Sequence, residues 1–221
     1  PSEFAKPVLI LFLANFWIKN QPSWINIIKS LGLLLPLLFL IFRQPDLGST
    51  LTLMAIWVCM VFASRISYKK IVILILIAVL VIPAGWFFLR DYQKQRITGF
   101  VAPHDDPLGL GYNQIQSTIA VGSGQLFGRG LGRGTQSRLQ FLPEYRTDFI
   151  FASIAEEMGF LGSVIILSVY LFLLSYLLKL ASIVTDNFSF LLVIGVFSML
   201  IFQIFVNIHA ECEVVYFYDR R

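Results

Sequence analysis

The residue types with the most chemistry in this chain lie between Asp91 and Gly162. Asp148 stands where a long polar stretch meets an apolar one. Asp148, Ala152, Ala155, Gly159 and Gly162 then follow one another at helical spacings of four and three. Stripes of small residues mark faces on which helices pack closely in lipid, so the spacing predicts that Asp148 faces protein. A carboxylate there can cap the helix, accepting a hydrogen bond from an orphan backbone amide. It can also take a proton from a substrate hydroxyl, because a partly dry surrounding raises its basicity. The two roles are compatible. Glu156 and Glu157 follow two turns on. Adjacent carboxylates at membrane depth are costly and point to function; alternatively, one pairs with a basic residue while the other reaches a polar cavity.

Upstream, Gly122, Gly124, Gly128, Gly130, Gly132 and Gly134 interleave with Arg129 and Arg133. Successive backbone amides in glycine turns can form an anion nest, and guanidinium forks add charge-assisted hydrogen bonds to phosphate. The plainer alternative is an exposed turn with scattered charge. The glycines lack the strand–glycine–lysine–helix context of a P-loop. Glu3 and Lys6 are three residues apart, share a helix face and are expected to pair. Cys59, Cys212, His104 and His209 lack metal-ligand spacing, so no protein metal site is expected.

The elements that position these residues follow from composition. Hydrophobic residues make up 57% of the chain and charged residues 14%, where a soluble domain carries about a quarter charged. The apolar residues fall in long runs, which predicts a multi-pass membrane protein. Backbone groups in lipid must be satisfied within each segment, so the fold class is all-α, a polytopic transmembrane helix bundle. Residues 1–221 read as one membrane domain with six spans, at 4–18, 31–44, 48–64, 71–89, 149–178 and 188–208. Residues 90–148 form a large extracytoplasmic loop, long enough that function is expected of it. Between spans two and three, Pro45 ends one helix and Asp46 can cap the next. The chain opens at PSEFAK, without an initiator Met, and reads as a fragment.

Orientation follows from the short connections. Lys19, Lys29, Arg65, Lys69, Lys70 and Lys179 lie on one side. Arg43, Arg90, Lys94, Arg96, Arg129, Arg133, Arg138 and Arg146 lie on the other. The positive-inside rule binds short loops most strongly, which puts the three short basic connections in the cytoplasm. The long loop is then outside, and an anionic partner would account for its arginines.

Several stretches resemble one family. PSEFAK at the start, QPDLG at Gln44, YQKQRI at Tyr92, DPLGLGYNQIQS at Asp106, AVGSG at Ala120, LPE at Leu142 and TDFIFASIAEE at Thr147 are similar to the SEDS proteins. These are the shape, elongation, division and sporulation proteins, RodA, FtsW and SpoVE, and the likeness is greatest to RodA. It extends over nearly the whole chain. Gln125 stands where a glycine is common in the family, Arg146 where histidine is common, and HAECEVVYFYDRR from His209 departs from the family pattern.

The resemblance implies a ten-span membrane glycosyltransferase that polymerises lipid II into peptidoglycan and releases undecaprenyl pyrophosphate. It would work beside a class B penicillin-binding transpeptidase in the bacterial plasma membrane, with no nucleic acid involved. The family's essential aspartate falls on Asp148 and its Glu–Lys pair on Glu3 and Lys6. Arg96, Gln116, Ser123, Arg129 and Arg133 are expected to bind substrate. Glu3, Lys6, Asp46, Glu156 and Glu157 are expected to shape the cavity, with the Glu3–Lys6 pair below Asp148. No cofactor is required, though a divalent cation, magnesium or manganese, would suit the leaving pyrophosphate. Rival readings are a lipid II flippase or other carrier, which would want its charges near mid-membrane, an FtsW-type division protein, and a scaffold for the transpeptidase.

Overall fold

Ser23 shows how the apolar runs become helices in this computed structural model, which describes residues 2–43, 47–89, 91, 93–95, 98, 106, 109, 111–135 and 149–212. Its side chain accepts a hydrogen bond from the Asn26 amide and starts a helix at Trp24, earlier than the expected 31. The apolar pattern hides this first turn because Asn26, Lys29 and Ser30 interrupt it.

Among the described residues all regular structure is helical. The elements are α1 (Ser2–Lys19), α2 (Trp24–Phe42), α3 (Leu47–Ala63), α4 (Tyr68–Gly85) with a 3-10 turn at Trp86–Phe88, α5 (Tyr112–Ser123), α6 (Ile150–Ile183) and α7 (Asn187–Cys212). Among the described residues three stretches are long and apolar enough to cross a membrane: Trp24–Ile41, Ile150–Ile183 and Asn187–Ile208. This is the composition of a multi-pass membrane protein. Two further features depart from the sequence expectation. The long loop contains a helix, α5, which its polar composition conceals. In addition, α6 is broken at Gly159, whose φ of 67° and ψ of −164° are not helical.

The chain divides into two compact units, residues 1–79 with 172–203, and residues 80–171 with 204–221. In the first unit Leu9 and Leu13 of α1, Leu34 of α2, Leu53, Ile56 and Met60 of α3 and Leu191 of α7 form a buried apolar core. One polar pair inside it is matched, while the buried Trp17 indole N–H has no partner among the described residues. Trp57 donates its indole N–H to Ser30 Oγ at 3.0 Å, and Ser30 donates to the Ile27 carbonyl at 2.8 Å. A buried hydroxyl without partners would be costly. Lys70 donates to the Pro22 carbonyl at 2.6 Å, tying the start of α4 to the α1–α2 connection.

The second unit has a smaller core. Ala120 of α5 and Ala152 of α6 meet with no exposed surface, flanked by Val121 and Phe149. Alanines at this contact let the two backbones approach closely.

Candidate functional site

The segment after α5 turns back onto α6 and bonds to its backbone. Arg129 and Gly130 donate their amides to the carbonyls of Glu156 and Glu157, each at 3.0 Å. In return, the Phe160 and Leu161 amides donate to the carbonyls of Gln125 and Leu126 at 2.8 and 3.2 Å. A continuous helix would have used these groups internally. The break at Gly159 frees them for the docked segment.

The glycines make this close approach possible. A Cβ on Gly124 would strike the Ala155 carbonyl, one on Gly128 the Glu157 carbonyl, and one on Gly159 the Gly128 amide. Gly128 and Gly159 also have positive φ, 78° and 67°, which side chains resist. Three of the six glycines are thereby taken out of the anion-nest reading. The amides of Gly124, Gly128 and Gly130 donate to the carbonyls of Val121, Gly124 and Glu157, so they do not face a ligand. Gly124, Gly128 and Gly159 serve docking.

Docking brings an exposed cation near a buried carboxylate. Arg129 donates from Nε to the Ser123 carbonyl at 3.3 Å and from Nη1 to Thr135 Oγ1 at 3.0 Å. Thr135 donates to Glu156 Oε1 at 3.1 Å. Glu156 is fully buried, and the hydroxyl both accepts and donates, as its chemistry allows. Thr135 is the residue that sequence reasoning missed. A lone threonine in a glycine–arginine turn carries no spacing signal.

The other expected residues are placed as follows. Asp148, Asp46 and Arg96 lie outside the described residues. Ala152, Ala155, Gly159 and Gly162, which follow Asp148 in the small-residue stripe, are all buried. Because α6 breaks at Gly159 they do not form one straight face; Gly162 lies against the Met158 side chain. Ser123 donates to the Ala120 carbonyl at 2.9 Å, closing the last turn of α5. Gln116 is half-buried on α5, Arg133 is exposed and Glu157 is half-buried. In the first unit Lys6, 3% exposed, reaches Glu3 Oε1 at 2.5 Å. Among the described residues no group of three or more His, Cys, Asp or Glu could hold a metal ion.

Four likenesses to known proteins bear on this arrangement. A family model described as cell cycle protein (FtsW, RodA, SpoVE) matches residues 1–214. Peptidoglycan glycosyltransferase MrdB of Escherichia coli K12 is 40% identical over 215 residues, covering 94% of this chain and 57% of that protein. Stage V sporulation protein E of Bacillus subtilis 168 is 36% identical over 212 residues, with the same coverage. A solved structure described as "Structural coordination of polymerization and crosslinking by a peptidoglycan synthase complex" superposes with a TM-score of 0.75 at 30% identity. It covers 96% of this chain and 59% of that one. The chain thus spans a little over half the length of the relatives it matches.

Proposed function

The chain belongs to the cell cycle protein family of FtsW, RodA and SpoVE, and from that premise we propose that it is the part of a peptidoglycan glycosyltransferase that holds the catalytic base. The parent protein polymerises lipid II in the bacterial plasma membrane, as a RodA-type enzyme of cell elongation beside a class B penicillin-binding transpeptidase. The observation that carries the reading is the seating of Arg129 on the first turns of α6, the helix that Asp148 immediately precedes in sequence.

In this reading Asp148 accepts the proton of the acceptor sugar's 4-hydroxyl. The hydroxyl oxygen forms a bond to the anomeric carbon of the donor. The bond from that carbon to the phosphate oxygen breaks, and its electron pair leaves on undecaprenyl pyrophosphate. That anion already carries stabilised charge, so it needs cations rather than a general acid. Arg129 and Arg133 supply them. Glu156, through Thr135, holds Arg129 in place and does no chemistry itself.

The test is lipid II polymerisation by the full-length protein with its transpeptidase, comparing wild type with Asp148→Asn. Asparagine keeps a capping hydrogen bond but cannot accept the proton. The rate should fall by about 10²- to 10⁴-fold, the usual contribution of a general base, with unfolding unchanged. Normal polymerisation by the Asn variant would leave Asp148 as a cap only. For the cations, Arg133→Gln is the cleaner variant, because Arg129 also braces Thr135. It should raise the Michaelis constant for lipid II. A fall in turnover with binding unchanged would move Arg133 to the transition state or away from substrate.

A further inference from the structure

We propose that the docked segment between α5 and α6 is a membrane-interface anchor, with Leu126, Phe127 and Leu131 inserted among bilayer lipids and Arg133 at the level of their headgroup phosphates. The first observation is exposure. Leu126 is 61% exposed, and Phe127 and Leu131 are each 78% exposed. Large apolar side chains this bare on a polar turn require an apolar partner. Four backbone hydrogen bonds to α6 hold the segment in place, so these side chains present a fixed surface.

The second observation is depth. The segment bonds to residues Glu156, Glu157, Phe160 and Leu161 of α6, where Glu157 is the last charged residue before Lys179. The run from Phe160 to Leu178 has 19 residues and no charge. It rises about 28 Å at the helical increment, close to the roughly 30 Å hydrocarbon core of a bilayer. One edge of the core therefore falls at Phe160, and the docked segment sits at that edge.

The third observation is continuity. Leu126 and Phe127 line a groove of about 610 Å³ together with Phe160. Leu161, Val164 and Ile165 continue an exposed apolar surface down α6. The loop thus extends the surface that lipid would already cover. Exposed Phe and Leu with a nearby Arg is the composition of interfacial anchors, where apolar groups enter the acyl boundary and long cationic chains reach phosphates. The occupant is the bilayer itself, and the proposal does not rest on the polymerase reading.

The experiment places a bimane fluorophore on Phe127→Cys, and separately on Leu131→Cys, in the full-length protein in a background free of other cysteines. Asn113→Cys, exposed on α5, is the reference. Each protein is reconstituted in vesicles of phosphatidylcholine and phosphatidylglycerol. Quenching is read from a nitroxide near the top of the lipid acyl chain and from iodide in water. Both loop probes should be quenched by the lipid nitroxide and lose iodide quenching, while the Asn113 probe shows the reverse. Both substituted side chains are largely exposed on the protein, so neither change removes core packing, and each site tests the proposal independently. Iodide quenching at both loop sites equal to that at Asn113 would overturn it. Shielding from both quenchers would also overturn it, because another protein surface would then cover the patch.

Discussion

Lys6 and Glu156 are the buried charged residues among those described, and Lys6 pairs with Glu3. Lys6 is 3% exposed, while the Glu3 side chain it meets is 71% exposed. The cost of desolvation therefore falls on the ammonium, and Glu3 compensates it from the rim. Removing one partner of a fully buried pair costs about 3–5 kcal/mol. An exposed partner is screened, so Glu3→Ala should cost less, on the order of 1–2 kcal/mol. Glu3→Gln with Lys6→Met should sit close to wild type. The swap Glu3→Lys with Lys6→Glu should recover part of the loss, read by thermal unfolding in detergent. A swap no better than the single changes would separate the two roles and make Glu3 a candidate catalytic carboxylate beside Asp148. Gln125 is a second case of local chemistry against local shape. Its φ is 50°, in the left-handed region that costs a side chain about 1–2 kcal/mol. Its carbonyl must keep that orientation to accept the Phe160 amide. Gln125→Gly should therefore raise stability by about 1 kcal/mol; a loss of stability would mean the glutamine side chain makes a contact worth more than the strain. The resemblance implies a glycine at position 125, but a physical reason for one is visible only in the docked backbone.

The elements divide by the kind of signal that specifies them. Helices α1 to α4, α6 and α7 follow apolar runs because lipid forces each run to satisfy its own backbone. Such runs are legible in one dimension, although their capped ends are less so. Helix α5, with the sequence YNQIQSTIAVGS, has no such run, and what stabilises it is the Ala120–Ala152 contact with a helix distant in sequence. The break in α6 is concealed for the same reason, since a helix tolerates an isolated glycine until another segment takes over its hydrogen bonds. Glycines inside intact helices make opposite predictions according to their surroundings. A Cβ on Gly32 of α2 meets nothing within 4 Å, so Gly32→Ala should stabilise by about 0.5–1 kcal/mol. A Cβ on Gly195 of α7 would lie 2.5 Å from Ile10 Cγ2 and 3.2 Å from Met60 Sδ, so Gly195→Ala should destabilise by about 1–3 kcal/mol through overpacking. Equal effects on the unfolding temperature would refute this account of both positions. At the start of α7, the Ser189 amide and hydroxyl each donate to Asp186 at 3.1 Å and hold its carboxyl below the ordinary carboxylate range. A depressed folded-state value means that the stabilisation is complete above the unfolded value of about 3.8 and is lost as pH falls below it. Asp186→Asn should flatten that acid limb of the stability–pH curve; an unchanged limb would assign it to other carboxylates.

At the scale of the whole molecule the question is which side of the membrane the candidate site faces. Net charge, at +4, does not decide it, because basic residues lie at both ends of the spans. The connections do. Residues 19–30, 65–70 and 179–187 are short and each carries lysine or arginine, the condition under which positive charge is retained inside. Residues 90–148 fall near the length at which the rule weakens. The structure adds a reason for arginines to persist there. Arg129 donates to the Ser123 carbonyl and the Thr135 hydroxyl, so its guanidinium has fixed partners where it stands. The loop should therefore be extracytoplasmic. A cysteine at Asp106, an exposed position, should react with an impermeant thiol reagent in intact cells, and one at Asn20 should react only after lysis. The reverse pattern would place the Arg129 segment and Asp148 in the cytoplasm. Polymerisation of a cell-wall precursor outside the membrane could not then be its work, and a carrier that takes its ligand from inside would become the better reading.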